Sequence, residues 1–112
     1  MSEEIDGINI SKALNHLRDH STHLARAKAT RIYLEQFRKS KKALLMNEIE
    51  GPQHVRESYA YSHPEYIQLL EDYRDSVSEE ESEKWLMTAA QLKVEVYRTQ
   101  QANNRFIDRA HT

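Results

Sequence analysis

The chain has 112 residues, of which 38% are hydrophobic and 30% charged, with only two glycines and two prolines. So few turn-forming residues disfavour a sheet, which needs a turn every few positions, and favour long helices with exposed polar faces. The net charge of −2 provides no overall basic field that would recruit nucleic acid. Because cysteine is absent, disulfides and thiolate chemistry are excluded.

The sequence shows no signal for a membrane. No apolar run approaches the ~20 residues that a membrane-spanning helix requires. The N-terminal residues are acidic and lack the basic and apolar segments of a signal peptide. We therefore expect a cytoplasmic protein with no membrane partner. Its hydrophobic core should be thin, and self-association is a natural way to thicken it.

The first half of the chain predicts one long helix. Residues 1–9 carry three acidic residues and a glycine, and we expect them to form a flexible tail. Asn9 or Ser11 can cap a helix that runs from about residue 10 to about residue 50, where Gly51 and Pro52 end it. Its apolar stripe drifts and is interrupted by polar residues. This argues against a strict heptad repeat and a clean two-stranded coiled coil.

Residues 51–62 form the predicted connector, and its valine and tyrosines favour a short helical turn folded back over the end of the bundle. Pro64 suits a first helical turn, so a second helix is predicted from about residue 63 to about residue 109. Such a helix is roughly 65–70 Å long at ~1.5 Å per residue. Two apolar groups recur at helical spacing and predict its buried stripe: Tyr66, Leu70, Tyr73 and Val77, then Trp85, Ala89, Leu92 and Val96.

Two long helices with one short connection predict an all-α fold, a long antiparallel helical hairpin that forms one domain over residues 10–112. With a turn near residue 56, position n faces a partner near position 113 − n. Basic residues 38–42 then face acidic residues 71–75, and basic residues 26–31 lie close to acidic residues 79–83. Exposed pairs contribute only ~0–1 kcal/mol each, so their expected role is to select this register. We further expect the hairpins to assemble into a helical homo-oligomer.

The strongest chemical signal is a basic segment, residues 26–42, which holds seven basic residues and one acid, Glu35. Cations spaced along a helix can follow a phosphate backbone and bind it without sequence preference. Tyr33 and Phe37 lie among them and could stack on unpaired bases. Equally, the cations could form a solvated face or pair with the acidic segment of the second helix, with both aromatics in the core. The candidate nucleic-acid-binding residues are Lys28, Arg31, Arg38, Lys39, Lys41 and Lys42.

Three histidines, His16, His20 and His23, share one face of the first helix, and imidazoles at this spacing can hold zinc or nickel. No second ligand cluster and no HExxH motif accompany them, so we expect exposed histidines and no metal site. The sequence also lacks a glycine-rich phosphate loop, a nucleophile elbow and a Cys/His pair. We therefore expect no catalytic residues, no cofactor and no enzymatic activity.

The order of features is similar to that of a known protein family. A basic helix is followed by a glycine-containing break, a second helix led by Ser62, a stripe around Trp85 and an Arg/Asn-rich end. Residues 38–45, Arg-Lys-Ser-Lys-Lys-Ala-Leu-Leu, resemble the Lys/Arg-rich helix of UvsY-type phage recombination mediators. Residues 62–106 look like the C-terminal helical half of those proteins. The chain is also similar to small helical proteins encoded beside single-strand annealing proteins in phage recombination modules.

This resemblance implies a non-enzymatic accessory, in the cytoplasm of a bacterial host cell, that binds single-stranded DNA. Such proteins form ring-like oligomers and help a recombinase displace single-strand-binding protein. Matching positions would place DNA contacts at Arg38, Lys39, Lys41 and Lys42. The acidic run at residues 79–83 departs from the family pattern and could neutralise the basic helix.

One alternative belongs to a different functional class. The chain could be a helical protein–protein interaction adapter or inhibitor, without nucleic-acid binding, whose exposed face docks on a host or phage protein. Retention of DNA at low salt separates the two hypotheses, because non-specific electrostatic binding is strongest there.

Overall fold

The computed structural model describes the backbone of residues 4–5 and 8–110, and side chains from residue 9 to residue 110. Its elements are β1 (Glu4–Ile5), β2 (Ile8–Asn9), α1 (Ile10–Met46), α2 (Gln53–Ser62) and α3 (Pro64–Ala110). The fold is an all-α antiparallel helical hairpin, which confirms the predicted class. The expected N-terminal tail lies largely outside the described residues; within it, β1 and β2 form a two-residue antiparallel pair. Across the described helices, no segment is long and apolar enough to cross a membrane.

Local signals set both ends of α1. The side chain of Asn9 accepts a hydrogen bond from the backbone N–H of Lys12 at 2.9 Å, which is the predicted N-cap. The helix ends at Met46, a few residues before the expected end near residue 50. The backbone carbonyl of Met46 accepts a hydrogen bond from Nε of Arg56 at 3.0 Å. A side chain of α2 thus provides the donor that the last turn of α1 lacks within the helix. Gly51 then adopts a φ of 134°, a conformation that L side chains rarely adopt.

Residue His63 separates α2 from α3 and caps the second long helix. Its extended backbone ends α2, and its carbonyl accepts hydrogen bonds from the backbone N–H groups of Tyr66 and Ile67. Its Nδ1 atom also accepts one from the N–H of Glu65 at 3.1 Å. Pro64 occupies the first helical position, where its missing N–H leaves no donor unpaired. The helix therefore starts where the sequence predicted.

The inward face of α3 includes Tyr66 and Tyr73 of the predicted apolar stripe but departs from the rest of it. Buried and half-buried residues alternate at intervals of three and four, the heptad spacing of paired helices: Tyr66, Leu69, Tyr73, Ser76, Glu80, Glu83, Met87, Ala90, Val94, Tyr97 and Gln101. Of the predicted stripe, Trp85, Leu92 and Val96 are instead 70%, 60% and 46% exposed. The heptad positions were hard to recognise because many of them are polar.

The inward face of α1 follows the same alternation, which corrects the expectation of a drifting stripe. Its members are Ala13, Leu17, His20, Leu24, Ala27, Arg31, Leu34, Arg38, Lys41 and Leu45. Because several of these are charged, only a few apolar side chains are fully buried. The hydrophobic core is correspondingly thin, as the composition indicated.

The chain divides into two compact units: unit 1 comprises Met1–Leu24 with Ser82–Thr112, and unit 2 comprises Ala25–Glu81. In unit 1, Ala13 on α1 packs with Ala90 and Val94 on α3. In unit 2, Leu45, Ala60 and Tyr66 form a cluster to which all three helices contribute. Thus α2 folds back against the end of α1, as the short helical turn was expected to do.

Candidate nucleic-acid interface

All six predicted cations lie on the α1 part of unit 2, and the structure separates them by what they contact. Arg31, Arg38, Lys41 and Lys42 are half-buried and contact side chains of α2 or α3, whereas Lys28 and Lys39 are exposed.

Arg31 is fully engaged by carboxylates. Its Nε donates to Oε2 of Glu80 at 2.6 Å and its Nη2 donates to Oε1 at 3.3 Å, while Nη1 donates to Glu35 at 3.1 Å. The Glu80 side chain is only 4% exposed. Hydrogen bonding to Glu80 raises the pKa of Arg31, and the two carboxylates reinforce this. This pair matches the predicted register, but it leaves Arg31 few free donors for phosphate.

Lys41 and Lys42 also have acidic neighbours, though not the predicted ones. Nζ of Lys41 lies 2.7 Å from Oε2 of Glu65, a hydrogen bond that lowers the pKa of that carboxyl. Nζ of Lys42 lies 4.7 Å from the ring centroid of Tyr61 and 3.7 Å from Glu57. The register prediction had placed both lysines opposite residues 71–75. Lys41 and Asp72 do line the same groove, but Lys41 forms its ion pair with Glu65, two helical turns earlier on α3.

Arg38 occupies an inward position. Its guanidinium carbon lies 5.5 Å from the ring centroid of Tyr73 on α3, within the range of a cation–π interaction. Together with Lys41 and Lys42, it belongs to the segment that the family resemblance identified. These three cations are therefore less accessible than the resemblance implied.

Lys28 and Lys39 are accessible to a phosphate ligand. Within the side chains described, neither makes a hydrogen bond or an ion pair, and both are exposed. They are 11 residues apart, which on an α-helix is about three turns, or roughly 16 Å, along one flank. Two exposed cations with this spacing can contact two phosphates of one strand that are separated by intervening nucleotides.

The two aromatic residues of the segment lie on the opposite flank of α1. Tyr33 and Phe37 stack with ring centroids 5.8 Å apart and 5° between planes. Tyr33 is 64% exposed and Phe37 36% exposed, so the alternative that placed both in the core is wrong. By helical geometry, exposed Ile32 and Gln36 lie on the outer face of α1 between the rings and the lysines, and Ala29 and Ser40 lie beside them. A strand that joins the two flanks would cross Ile32 and Gln36.

The histidines differ from expectation in one respect. His16 and His20 are half-buried, and only His23 is exposed. Both sit at the inward side of α1 rather than on its solvent face. No motif in the sequence indicated that a residue of α3 would approach them.

In comparisons with family models, curated proteins and solved structures, the chain matches none of them. The resemblance to UvsY-type mediators therefore stays a prediction that depends on the sequence pattern alone.

Proposed function

We propose that this chain is a non-enzymatic accessory protein that binds single-stranded DNA across the outer face of α1 and assists phage-type recombination. The observation that carries the proposal is the combination of two unpaired lysines on one flank with an exposed pair of stacked rings on the other. Lys28 and Lys39 hold the phosphates, and Tyr33 and Phe37 accept bases. The set of contacts is thus smaller than the six cations predicted, since four of those have partners within the protein.

Single-stranded DNA suits this surface better than duplex DNA. Stacking on Tyr33 requires an unpaired base whose face is free, and each such stack contributes ~1–3 kcal/mol. The two lysines add electrostatic affinity without sequence preference. A strand that crosses Ile32 and Gln36 places its backbone toward the lysines and its bases toward the rings.

With two phosphate contacts and at most two stacked bases, one chain binds weakly, so we propose that several chains act together. The surface that supports this is an apolar strip on the outer face of α3 in unit 1, made of Trp85, Ala89, Leu92 and Val96 and here called the α3 strip. We assign a second copy of the chain as its occupant. Trp85, Leu92 and Val96 are 70%, 60% and 46% exposed, and pairing with a second copy would remove this apolar surface from water.

Assembly through the α3 strip would array several basic faces along one strand. An array of this kind can compete with single-strand-binding protein and pass the strand to a recombinase or annealing protein, as the resemblance implies. The α3 strip and the DNA face lie in different units, so the two activities can be altered separately.

The experiment is an anisotropy titration of a labelled single-stranded oligonucleotide, with duplex as competitor, at ~50 mM salt, where electrostatic binding is strong. Replacing Lys28 and Lys39 with glutamate should abolish binding, and replacing Tyr33 with serine should remove the preference for single strands. The matched control replaces Lys12 and Lys93 with glutamate, because it changes the net charge equally on exposed residues of unit 1. Equal loss of binding in the control, or no binding by the wild type, would refute the proposal.

A second candidate function is favoured by the exposure of Trp85, which is 70% exposed. In this alternative, the α3 strip receives an apolar helix of a host or phage protein, and the chain acts as an adapter or inhibitor. A wild-type chain that is monomeric and does not bind oligonucleotides would support it over the mediator proposal.

A further inference from the structure

We propose that His20, His23 and Glu83 form a binding site for a divalent transition metal of the zinc type. Each residue offers one ligand atom, and the three atoms lie within 4.8 Å of one another. All three residues belong to unit 1, where α1 supplies the histidines and α3 the carboxylate. The site uses none of the residues assigned to DNA.

Glu83 completes the proposed site because it supplies a ligand from a second helix. His20 and His23 are three residues apart and present neighbouring imidazoles, and ligands from a single helix leave the other side of an ion open. Glu83 occupies a heptad position on α3 and approaches from that side. Two nitrogens and one carboxylate oxygen give the three protein ligands found in many zinc sites that keep a fourth position for water.

The polar atoms around this point lack other partners. Nε2 of His16, Nδ1 of His20 and Oε2 of Glu83 are buried and accept or donate no hydrogen bond. Leaving such groups unsatisfied is costly, so buried polar atoms nearly always have a partner. Two of these atoms belong to the candidate ligands His20 and Glu83, and an unsatisfied imidazole nitrogen beside an unsatisfied carboxylate oxygen indicates a cation.

The imidazole rings are already closely arranged. The rings of His16 and His20 stack at 4.4 Å with 12° between planes, and His23 meets His20 edge-on at 4.8 Å. Zinc bonds of ~2.0–2.2 Å in a tetrahedron place ligand atoms roughly 3.4 Å apart. The donor atoms therefore need to approach by at most about 1.4 Å. Rotation of the exposed His23 side chain and of the flexible Glu83 side chain can supply this.

The donor set also determines the class of metal. Imidazole nitrogen suits zinc, cobalt, nickel and copper, whereas magnesium and calcium prefer sites built from oxygen. A bound ion would join α1 to α3 within unit 1, which is where the apolar cluster is smallest in side-chain volume: Ala13, Ala90 and Val94. Metal binding should therefore raise the thermal stability of the folded chain.

The test is calorimetric titration of tag-free, metal-stripped protein with zinc chloride, together with the visible absorption of the cobalt-loaded protein. We expect one zinc per chain, a cobalt spectrum typical of four-coordination and a higher melting temperature with zinc. Glu83→Gln and His23→Gln should each weaken zinc binding by more than about tenfold, the smallest loss typical of an altered metal site. His54→Gln, an exposed histidine of α2, is the matched control and should bind like the wild type.

Circular dichroism of each variant shows that its helices are intact, so that a loss of binding reports on the ligands. The inference is overturned if the wild type takes up no zinc at micromolar concentrations. It is equally overturned if Glu83→Gln binds as tightly as the wild type, or if His54→Gln loses as much affinity as His23→Gln.

Discussion

Arg31 on α1 donates two hydrogen bonds to the carboxylate of Glu80 on α3, at 2.6 Å and 3.3 Å, and that carboxylate is almost completely buried. A charge pair at this depth specifies alignment more than it adds stability, because both groups lose water to form it. Any shift of the helices in unit 2 would separate the buried Glu80 carboxylate from the Arg31 guanidinium. The pair therefore fixes the antiparallel register of α1 and α3 in this unit.

Removing the two partners should have unequal effects. Arg31→Met removes two charge-assisted hydrogen bonds from a carboxylate that is only 4% exposed, whereas Glu80→Leu leaves an arginine that still contacts Glu35 and is one-quarter exposed. We expect Arg31→Met to lower the melting temperature more than Glu80→Leu does. The double variant should be more stable than Arg31→Met, since hydrophobic replacement of a whole buried pair is often neutral. Additive losses in this double-mutant cycle, measured by thermal unfolding, would contradict the assigned role.

The core of unit 2 depends on Leu45, which is 1% exposed and packs with Ala60 and Tyr66. Leu45→Ala should cost about 2–5 kcal/mol in the free energy of unfolding. Its neighbour Leu44 is 59% exposed, so Leu44→Ala is a matched control that should change it by less than about 0.5 kcal/mol. Denaturant titration followed by circular dichroism measures both. Similar losses for the two variants would mean that the inward face of α1 is misassigned.

Lys41 gives the stability a defined pH dependence. Its hydrogen bond lowers the pKa of Glu65 below the ordinary value of 4.5. A carboxyl with a lowered folded pKa contributes stability above its unfolded pKa, and this is lost as the pH falls through the folded value. We therefore expect Lys41→Met to be less stable than wild type at pH 7, with the difference disappearing in acid. Melting temperatures measured from neutral to acidic pH check this, and a constant difference would contradict it.

Self-association should depend on the α3 strip. Replacing Trp85 and Leu92 with serine removes its two most exposed large side chains and should convert the oligomer to a monomer without lowering helicity. Leu14→Ser is the control, because Leu14 is 50% exposed but belongs to α1 rather than to the strip. Light scattering during size-exclusion chromatography gives the masses. A wild-type chain that is monomeric at high micromolar concentration would contradict the proposed assembly.

Helix positions could be predicted from the sequence because they depend on local residues. Asn9 caps α1, Gly51 and Pro52 follow its end, and Pro64 opens α3, and each acts through its own backbone geometry. The register of Arg31 with Glu80 was also predictable, because opposite charges were matched along an antiparallel hairpin. Local signals and charge matching were thus sufficient for the topology.

Beyond Tyr73, the inward face of α3 could not be predicted by hydrophobicity. Trp85, Leu92 and Val96 are more apolar than Ser76, Glu80 and Glu83, yet the polar residues face inward. When a helix has two candidate stripes, the helix that packs against it determines which one faces inward. Here α1 presents Arg31 and histidines to α3 rather than a continuous apolar face. The proximity of Glu83 to His20 and His23 could not be predicted either, because these histidines lie some 60 positions away in the sequence.

For the basic segment, the sequence did not indicate which cations are accessible to a ligand. Its seven cations are equivalent in the sequence, but their access to a ligand depends on side chains from α2 and α3. Three of the cations that the family resemblance identified contact side chains of α2 or α3: Lys41 contacts Glu65, Lys42 contacts Tyr61 and Arg38 contacts Tyr73. Only the structure distinguishes these from Lys28 and Lys39.

The central claim is that Lys28 and Lys39, rather than the paired lysines, contact DNA phosphates. The most direct measurement is the slope of log affinity for a single-stranded oligonucleotide against log salt concentration. Each phosphate contact contributes a slope of about −0.7 for single strands. Lys28→Gln with Lys39→Gln should therefore make the slope shallower by about 1.4 per bound chain, whereas Lys41→Gln with Lys42→Gln should leave it unchanged. An unchanged slope in the first variant, or an equal change in both, would contradict the account.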